Sequence, residues 1–99
     1  MRIINEARLE RFVRKHPAVE AALLRWAAVA KAGQWRNLPD LRSTFRSADP
    51  VCECTVFDLL GNSCRLITRI HYADQTITLY HLLTHKEYDR KRWQKDCDC

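Results

Sequence analysis

Residues 56–67 carry the sequence VFDLLGNSCRLI, and this stretch decides the fold. It consists of two β-prone runs joined by Gly61-Asn62, a dipeptide typical of two-residue hairpin turns. Because such a turn fixes the register, we predict that the numbers of paired residues sum to 123. Asp58 then lies directly opposite Arg65. The chain therefore contains a β-hairpin whose side chains can be assigned to faces.

The predicted hairpin has one apolar face and one mixed face, because side chains alternate along a strand. The apolar face carries Phe57, Leu59, Cys64, Leu66, Ile70 and Tyr72. The opposite face carries Asp58, Arg65, Arg69 and His71, with Val56 and Ile67. We expect the first face to pack against helices and the second to be open.

A third strand is predicted from about Thr76 to Leu83, after a turn around Ala73-Asp74. If Tyr72 pairs with Gln75, the apolar face gains Ile77, Leu79, His81 and Leu83. The Arg65 face then gains Tyr80 and Leu82. His81 is interpreted as a hydrogen-bonded core histidine rather than a ligand. Thr84 is expected to cap a short helical turn.

The first half of the chain is predicted to be helical. Residues 2–4 form a short strand, Asn5 caps a first helix, and His16-Pro17 ends it. Apolar residues then recur at helical spacing from Val19 to Ala30, and Gly33 ends this second helix. A third, short helix holds the segment that contains Leu41 and Phe45, and Asp49-Pro50 ends it.

These elements predict an α+β fold. An N-terminal helical pair packs on a small antiparallel sheet, and a short C-terminal helical turn follows. Residues 1–92 are expected to form a single domain, and residues 93–99 a polar tail that contains cysteine.

Composition limits the classes of protein to which the chain can belong. The 99 residues carry 17 Lys+Arg against 12 Asp+Glu, a net charge of +5 that favours polyanionic partners. No run approaches the roughly 20 apolar residues of a membrane-spanning helix, and no signal-peptide pattern is recognisable. We therefore expect a soluble, cytoplasmic domain without a membrane partner.

Five cysteines are present: Cys52, Cys54, Cys64, Cys97 and Cys99. Without an export signal, reduced thiols are expected. Two Cys-x-Cys pairs offer four thiolates to zinc as an alternative, but the spacing is shorter than in zinc sites and the second pair lies in the tail. We therefore predict no metal and no cofactor.

The mixed hairpin face holds the candidate chemistry. Arg65 and Arg69 point the same way, and the third strand delivers His85, Lys86 and Tyr88 beside the end that carries Arg65. A guanidinium, an imidazole, an ammonium and a phenol around one concavity suit a phosphodiester. Arginine stabilises a phosphorane, histidine transfers protons near neutral pH, and tyrosine stacks on bases.

Each candidate also has a structural interpretation. Arg65 pairs equally well with Asp58 across the strands. His85 suits the first turn of a helix, and Tyr88 suits the edge of a core. Trp93 is an apparently exposed aromatic residue that either packs back on the domain or contacts a partner.

The stretches VFDLLGNSCRLI at 56–67 and LTHKEYD at 83–89 closely resemble the HigB family of bacterial toxins. The resemblance covers residues 1 to about 90. In the first half it rests on Met1-Arg2-Ile3-Ile4, Trp35-Arg36-Asn37, Asp40-Leu41 and Phe45.

The resemblance implies a RelE/ParE-like fold and an mRNA interferase that cuts mRNA in the ribosomal A site without a metal. The ribose 2′-OH would attack the adjacent phosphate. By motif match, Arg65 would stabilise the phosphorane, His85 would act as general acid or base, and Tyr88 would position the nucleotide. The predicted RNA-binding residues are Lys86, Arg69, Trp35 and Arg36.

The implied partners are mRNA on the ribosome and a cognate helix-turn-helix antitoxin. Operator DNA is bound only through the antitoxin complex. The chain departs from the family pattern at Tyr80, where arginine is common, and at Leu60, Ser63 and Cys64. Two alternatives stay open on the same fold: a non-catalytic protein that binds nucleic acid or antitoxin, and a gyrase-poisoning toxin.

Overall fold

The computed structural model describes residues 1–61 and 63–99 and has an α+β architecture. Its strands are β1 (Arg2–Ile4), β2 (Asp49–Val51), β3 (Cys54–Leu59), β4 (Cys64–His71) and β5 (Thr76–Thr84). Its helices are α1 (Arg8–Lys15), α2 (Glu20–Ala32), α3 (Leu38–Thr44) and α4 (His85–Asp89), with 3₁₀ helices at Pro17–Val19 and Arg92–Cys97.

The five strands form one sheet in the order β1-β5-β4-β3-β2. The neighbouring pairs are antiparallel except that β1 runs parallel to β5. The sheet is therefore mixed, whereas the sequence predicted an antiparallel one. β2 was not predicted, because its Asp-Pro sequence is typical of a helix end rather than of a strand.

The predicted hairpin register is confirmed. Asp58 pairs with Arg65 and Phe57 with Leu66, so the numbers sum to 123. Gly61 has the positive φ of 63° that this turn requires. Asn62, the second residue of the predicted turn, lies outside the described residues.

A β-bulge between β4 and β5 overturns part of the face assignment. Thr68 of β4 pairs with Leu79 of β5, but the preceding residue of β4, Ile67, pairs with His81 rather than with Tyr80. Tyr80 is therefore the extra residue in β5. A bulge shifts the alternation by one position. Leu82 consequently packs in the main core, which corrects its predicted place on the Arg65 face.

The bulge also moves His81 and Leu83 off the predicted core face. Leu83 packs with Tyr80 in a second apolar cluster, and His81 Nε2 lies 2.8 Å from Asp96 Oδ2. His81 is therefore not the core histidine that the sequence predicted. Arg8 Nη1 donates to the carbonyls of Leu79 and Tyr80 at 3.0 and 3.1 Å, so these carbonyls at the bulge have a partner.

The main core lies between the helices and one face of the sheet. Its centre is a group of aromatic rings in which Phe57 contacts both Trp26 and Phe45, with ring centroids 5.3 and 5.1 Å apart. Gly33 ends α2 as predicted, and a Cβ there would overlap the ring of Trp35. A larger residue at this position would therefore push Trp35 out of the core.

Asn5 does not cap α1 as predicted. It has a φ of 64°, and the helix begins at Arg8 without a side-chain cap. Asn5 instead makes the turn out of β1, where a left-handed backbone suits asparagine.

No helix in the described part of the chain is long and apolar enough to cross a membrane.

The second face of the sheet is covered, which corrects the prediction that it is open. The segment 92–99, here called the C-terminal segment, packs on it through the 3₁₀ helix. Trp93 and Cys97 are buried there against Cys54, Val56 and Ile67. The segment predicted as a polar tail is therefore packed on the domain, and Trp93 is only 4% exposed.

Two disulfides fasten the C-terminal segment, which corrects the prediction of reduced thiols. Cys52 is bonded to Cys99, and Cys54 to Cys97. The Cα atoms are 5.4 and 5.2 Å apart, within the range that a disulfide spans. Because all four sulfurs are bonded in pairs, they are not thiolate ligands for zinc. Cys64 is a buried free thiol, and burial raises its pKa.

Candidate active site

An open cleft of about 570 Å³ lies where the end of α3 and the chain that follows it meet the hairpin. Its charged and aromatic lining consists of Arg42, Arg46, Asp49, Asp58, Arg65 and Tyr88. Three guanidinium groups against two carboxylates leave a net positive charge. The cleft therefore favours an anion with several oxygens, such as a nucleic-acid backbone.

Arg65 occupies the hairpin side of this cleft. Its Nε lies 3.1 Å from Asp58 Oδ1, the cross-strand partner that the register predicted. The guanidinium carbon stands 5.3 Å from the centre of the Tyr88 ring, a cation–π contact. The ion pair and the place in the cleft thus coexist. With a side chain only 13% exposed, Arg65 is held in one region of the cleft.

Tyr88 is the aromatic partner of Arg65 in this cation–π contact. Burial raises the pKa of its phenol, and the nearby Asp49 carboxylate raises it further against the opposing effect of Arg65. The phenol therefore stays protonated near neutral pH and remains a hydrogen-bond donor. Its ring stacks on Trp93 with centroids 4.8 Å apart and planes 16° from parallel.

A capping box sets the start of α4 and so the place of Tyr88. Glu87 N donates to Thr84 Oγ1 at 3.2 Å, and Thr84 N donates to Glu87 Oε1 at 3.0 Å. The cap at Thr84 confirms the prediction. The hydrogen bond from the Thr84 backbone, followed by the charge of Lys15, lowers the pKa of Glu87 against the effect of burial. The carboxylate form is thus the one that holds the helix start.

His85 and Lys86 are exposed on the outer side of α4. The His85 side chain is 60% exposed, and its Nε2 lies 3.2 Å from Asp89 Oδ2. Tyr88 lines the Arg65 cleft, whereas His85 and Lys86 do not belong to that lining among the described residues. The structure thus brings Arg65 and Tyr88 together and leaves His85 accessible one helical turn from Tyr88.

Arg69 lies beyond the bulge and is engaged by two acidic side chains. Its Nη2 lies 2.9 Å from Asp98 and 3.8 Å from Glu53. The predicted shared open face of Arg65 and Arg69 is therefore occupied at Arg69 by the C-terminal segment. The alternation of side chains along the strand did not show this, because Asp98 lies 29 residues from Arg69 in the sequence.

Trp35 is a core residue, which corrects its prediction as an RNA-binding residue. It is 5% exposed, and its Nε1 donates to Thr44 Oγ1 at 3.1 Å. A base has no access to a ring in this position. Arg36 beside it is highly exposed, with its Nε 3.7 Å from Asp40.

The sequence-based prediction missed Arg42 and Arg46 as site residues. They lie in the stretch of 34–49 that showed little regularity, and Arg42 Nε donates to the carbonyl of Ala48 at 2.8 Å. Arg42 lies in α3 and Arg46 in the turn after it, so no helical spacing pointed to them as a pair. Among the described residues, no group of three or more His, Cys, Asp or Glu is placed to hold a metal ion.

Comparisons with known proteins match most of the chain. The family model of the HigB toxin, a RelE-like toxic component of a toxin–antitoxin system, matches residues 19–91. An mRNA interferase HigB of Escherichia coli O6:H1 is 29% identical over 93 residues, covering 91% of this chain and 90% of the relative. Proteins with the same name in Escherichia coli O157:H7 and Shigella flexneri are 25% identical over 92 residues, covering 90% of this chain and 88% of each relative.

Proposed function

The chain belongs to the HigB family of RelE-like toxins of toxin–antitoxin systems, and we propose that it cleaves mRNA on the ribosome. The relatives that match nine-tenths of the chain are named mRNA interferases. The single observation that carries the proposal is the cleft in which Arg65 lies over the ring of Tyr88 beside Arg42 and Arg46. This arrangement offers positive charge for a phosphate and, beside it, a protonated phenol that can donate a hydrogen bond.

The proposed reaction is an internal transfer of the phosphodiester. The ribose 2′-oxygen forms a bond to the adjacent phosphorus, and the bond from phosphorus to the 5′-oxygen breaks. One proton leaves the 2′-hydroxyl and one is taken up by the 5′-oxygen. The products are a 2′,3′-cyclic phosphate and a 5′-hydroxyl end. The step therefore needs proton transfer and stabilisation of a charged phosphorane.

In this reaction, Arg65 stabilises the charge that develops on the phosphorane. Asp58 pairs with the Arg65 Nε at 3.1 Å, and the Arg65 Nη1 donates to the Cys64 carbonyl at 3.4 Å. Tyr88, whose phenol stays protonated, positions the nucleotide by donating a hydrogen bond. His85 transfers a proton, with its imidazole held by Asp89. Lys86 and Arg36 are both exposed, and they bind RNA phosphates that lie outside the Arg65 cleft.

The proposal extends to partners and place of action. The family implies an antitoxin partner, and we propose that a helix-turn-helix antitoxin inhibits the toxin and carries it to operator DNA. Acting on translated mRNA places the toxin in the cytoplasm. The reaction is proposed to run without a metal, with the guanidinium of Arg65 supplying the charge stabilisation.

Growth arrest by the expressed toxin tests the proposal in cells. Expression of the chain alone in bacteria is expected to stop growth and to cut translated mRNA, as seen by primer extension. Arg65→Ala should relieve both effects, because it removes the charge that the phosphorane requires. Asp58→Ala is the control. It removes the same cross-strand pair but keeps the cation, and it should retain most of the cleavage.

Two outcomes would contradict the proposal. Growth arrest without cleavage of mRNA would favour a gyrase poison or a non-catalytic binder. Full toxicity of a folded Arg65→Ala protein would show that Arg65 acts only as the partner of Asp58.

A further inference from the structure

The C-terminal segment contacts the proposed active site, although the family match ends at residue 91. Trp93 is the contact residue. Its ring stacks on the ring of Tyr88, and its Nε1 donates to the Tyr88 carbonyl at 2.9 Å. One residue of the segment thus holds both the side chain and the backbone of a site residue.

The segment is fixed to the sheet independently of Tyr88. The disulfides join Cys97 and Cys99 to the start of β3 and the turn before it. Glu53 N donates to the carbonyl of Cys97 at 2.9 Å, and Arg69 binds Asp98. Because these anchors lie on the sheet, Trp93 is held in place by contacts that do not involve α4.

Tyr88 depends on such an outside support. Its helix α4 has only five residues, and a helix this short is not stable by itself. The capping box holds its first turn, but Tyr88 comes after that turn. The ring of Tyr88 has Trp93 on one side and the Arg65 guanidinium within cation–π distance. A displacement of Trp93 would therefore move the Tyr88 ring relative to Arg65, which its own contact with Asp58 holds.

We propose that Trp93, held by the C-terminal segment that packs on the sheet, is a positioning residue that fixes Tyr88 beside Arg65 for cleavage of RNA. The inference rests on the proposed function. A misplacement of about 1 Å in a catalytic arrangement can lower the rate about 100-fold. Trp93 itself does not contact the substrate, since it is buried beneath Tyr88. Its loss should thus affect the turnover number more than the Michaelis constant.

Three variants test the inference on ribosome-bound mRNA with the full chain. Trp93→Leu keeps an apolar side chain in the cluster but loses the flat ring, and its kcat should fall about 10- to 100-fold with less than about a threefold change in KM. Trp93→Phe keeps a ring to stack and should recover kcat to within about threefold of the original protein. Trp26→Phe is the matched control in the main core, where no contact with Tyr88 exists among the described residues, and should leave kcat unchanged.

A contact measurement separates this inference from the proposed function. In NMR spectra of the protein alone, cross-peaks between the Tyr88 ring and the Arg65 side chain should persist in Trp93→Phe and weaken in Trp93→Leu. If the original protein cleaves no mRNA, the proposed function fails, while the cross-peaks still test the positioning. Unchanged cross-peaks and unchanged kcat in Trp93→Leu would overturn the inference, as would a Trp93→Phe protein as slow as Trp93→Leu.

Discussion

Arg65 makes an ion pair with Asp58 and also lines the candidate site. Its pair with Asp58 lies at the edge of the cleft, where the carboxylate is about one-third exposed. Because the Arg65 side chain is 13% exposed and that of Asp58 32%, either substitution removes the same partly buried pair and should lower stability by a similar, modest amount. Orienting a guanidinium toward a phosphate is a larger effect, because removing one charge-stabilising donor costs roughly 100- to 1,000-fold in rate. This difference makes substitutions at Arg65 informative about function.

His85 is the residue for which a proton-transfer role is proposed. His85→Ala should fold normally, because the side chain is mostly exposed. It should lower the cleavage rate by about 10²- to 10⁴-fold, the usual contribution of general acid–base catalysis. The measurement is the single-turnover rate on ribosome-bound mRNA.

The chain offers a matched control for this substitution in His81, which also contacts an aspartate. His81 Nε2 lies 2.8 Å from Asp96, away from the Arg65 cleft. His81→Ala should therefore keep the cleavage rate. Equal rates for the original protein and His85→Ala would remove His85 from the mechanism.

At the scale of elements, the hairpin was predictable and the bulge was not. The register followed from Gly61-Asn62 and from the alternation on either side, which are local properties. The extra residue Tyr80 in β5 changes the facing side chains from His81 onward, and it depends on pairing with β4. Alternation in β5 alone gave no sign of it, since Leu82 and Leu83 are both apolar.

The C-terminal segment was mispredicted for a similar reason. Its own sequence is polar, and its anchors are cysteines 43 and 47 residues away in the chain. The Cys-x-Cys pattern occurs at both ends of this loop, which was the available signal for two parallel disulfides. Within the site, Arg65 and Tyr88 were predictable from strand parity and motif spacing. Arg42 and Arg46 were not singled out, because α3 reaches the cleft only through tertiary packing.

The two disulfides should show strongly non-additive effects on stability. They close almost the same loop, so opening one leaves the chain still cross-linked by the other. Replacing one pair by alanine should cost roughly 2 kcal/mol or less, whereas opening the remaining pair should cost about 4 kcal/mol more. The measurement is the free energy of unfolding in urea without reductant. Single losses that sum to the loss of the double replacement would contradict this loop argument.

The free thiol does not complicate this experiment. Cys64 is buried in the main core, and burial raises its pKa, so it stays a thiol near neutral pH. Disulfide exchange requires a thiolate with access to the sulfurs. The cysteine pairs can therefore be replaced one at a time without Cys64 taking a partner.

At the scale of the whole molecule, the sheet has the main core on one face and the candidate site on the other. One face packs on α1, α2 and α3 to form the main core. The other face is covered by the C-terminal segment except where the cleft opens beside Arg65. The cleft is thus built from α3, the hairpin and α4, all of which lie within the family match at residues 19–91. The C-terminal segment, which lies beyond the family match, contacts the cleft through the stacking of Trp93 on Tyr88.

Mapping the ends of cleaved RNA tests the central claim most directly. Purified toxin should cut mRNA only when ribosomes are bound to it. The cleavage should leave 2′,3′-cyclic phosphate and 5′-hydroxyl ends, because the 2′-oxygen is the nucleophile that we propose. Arg65→Ala should abolish this cleavage, while Asp58→Ala should largely keep it. Equal cleavage of mRNA without ribosomes, or 5′-phosphate ends produced by attack of water, would contradict the account.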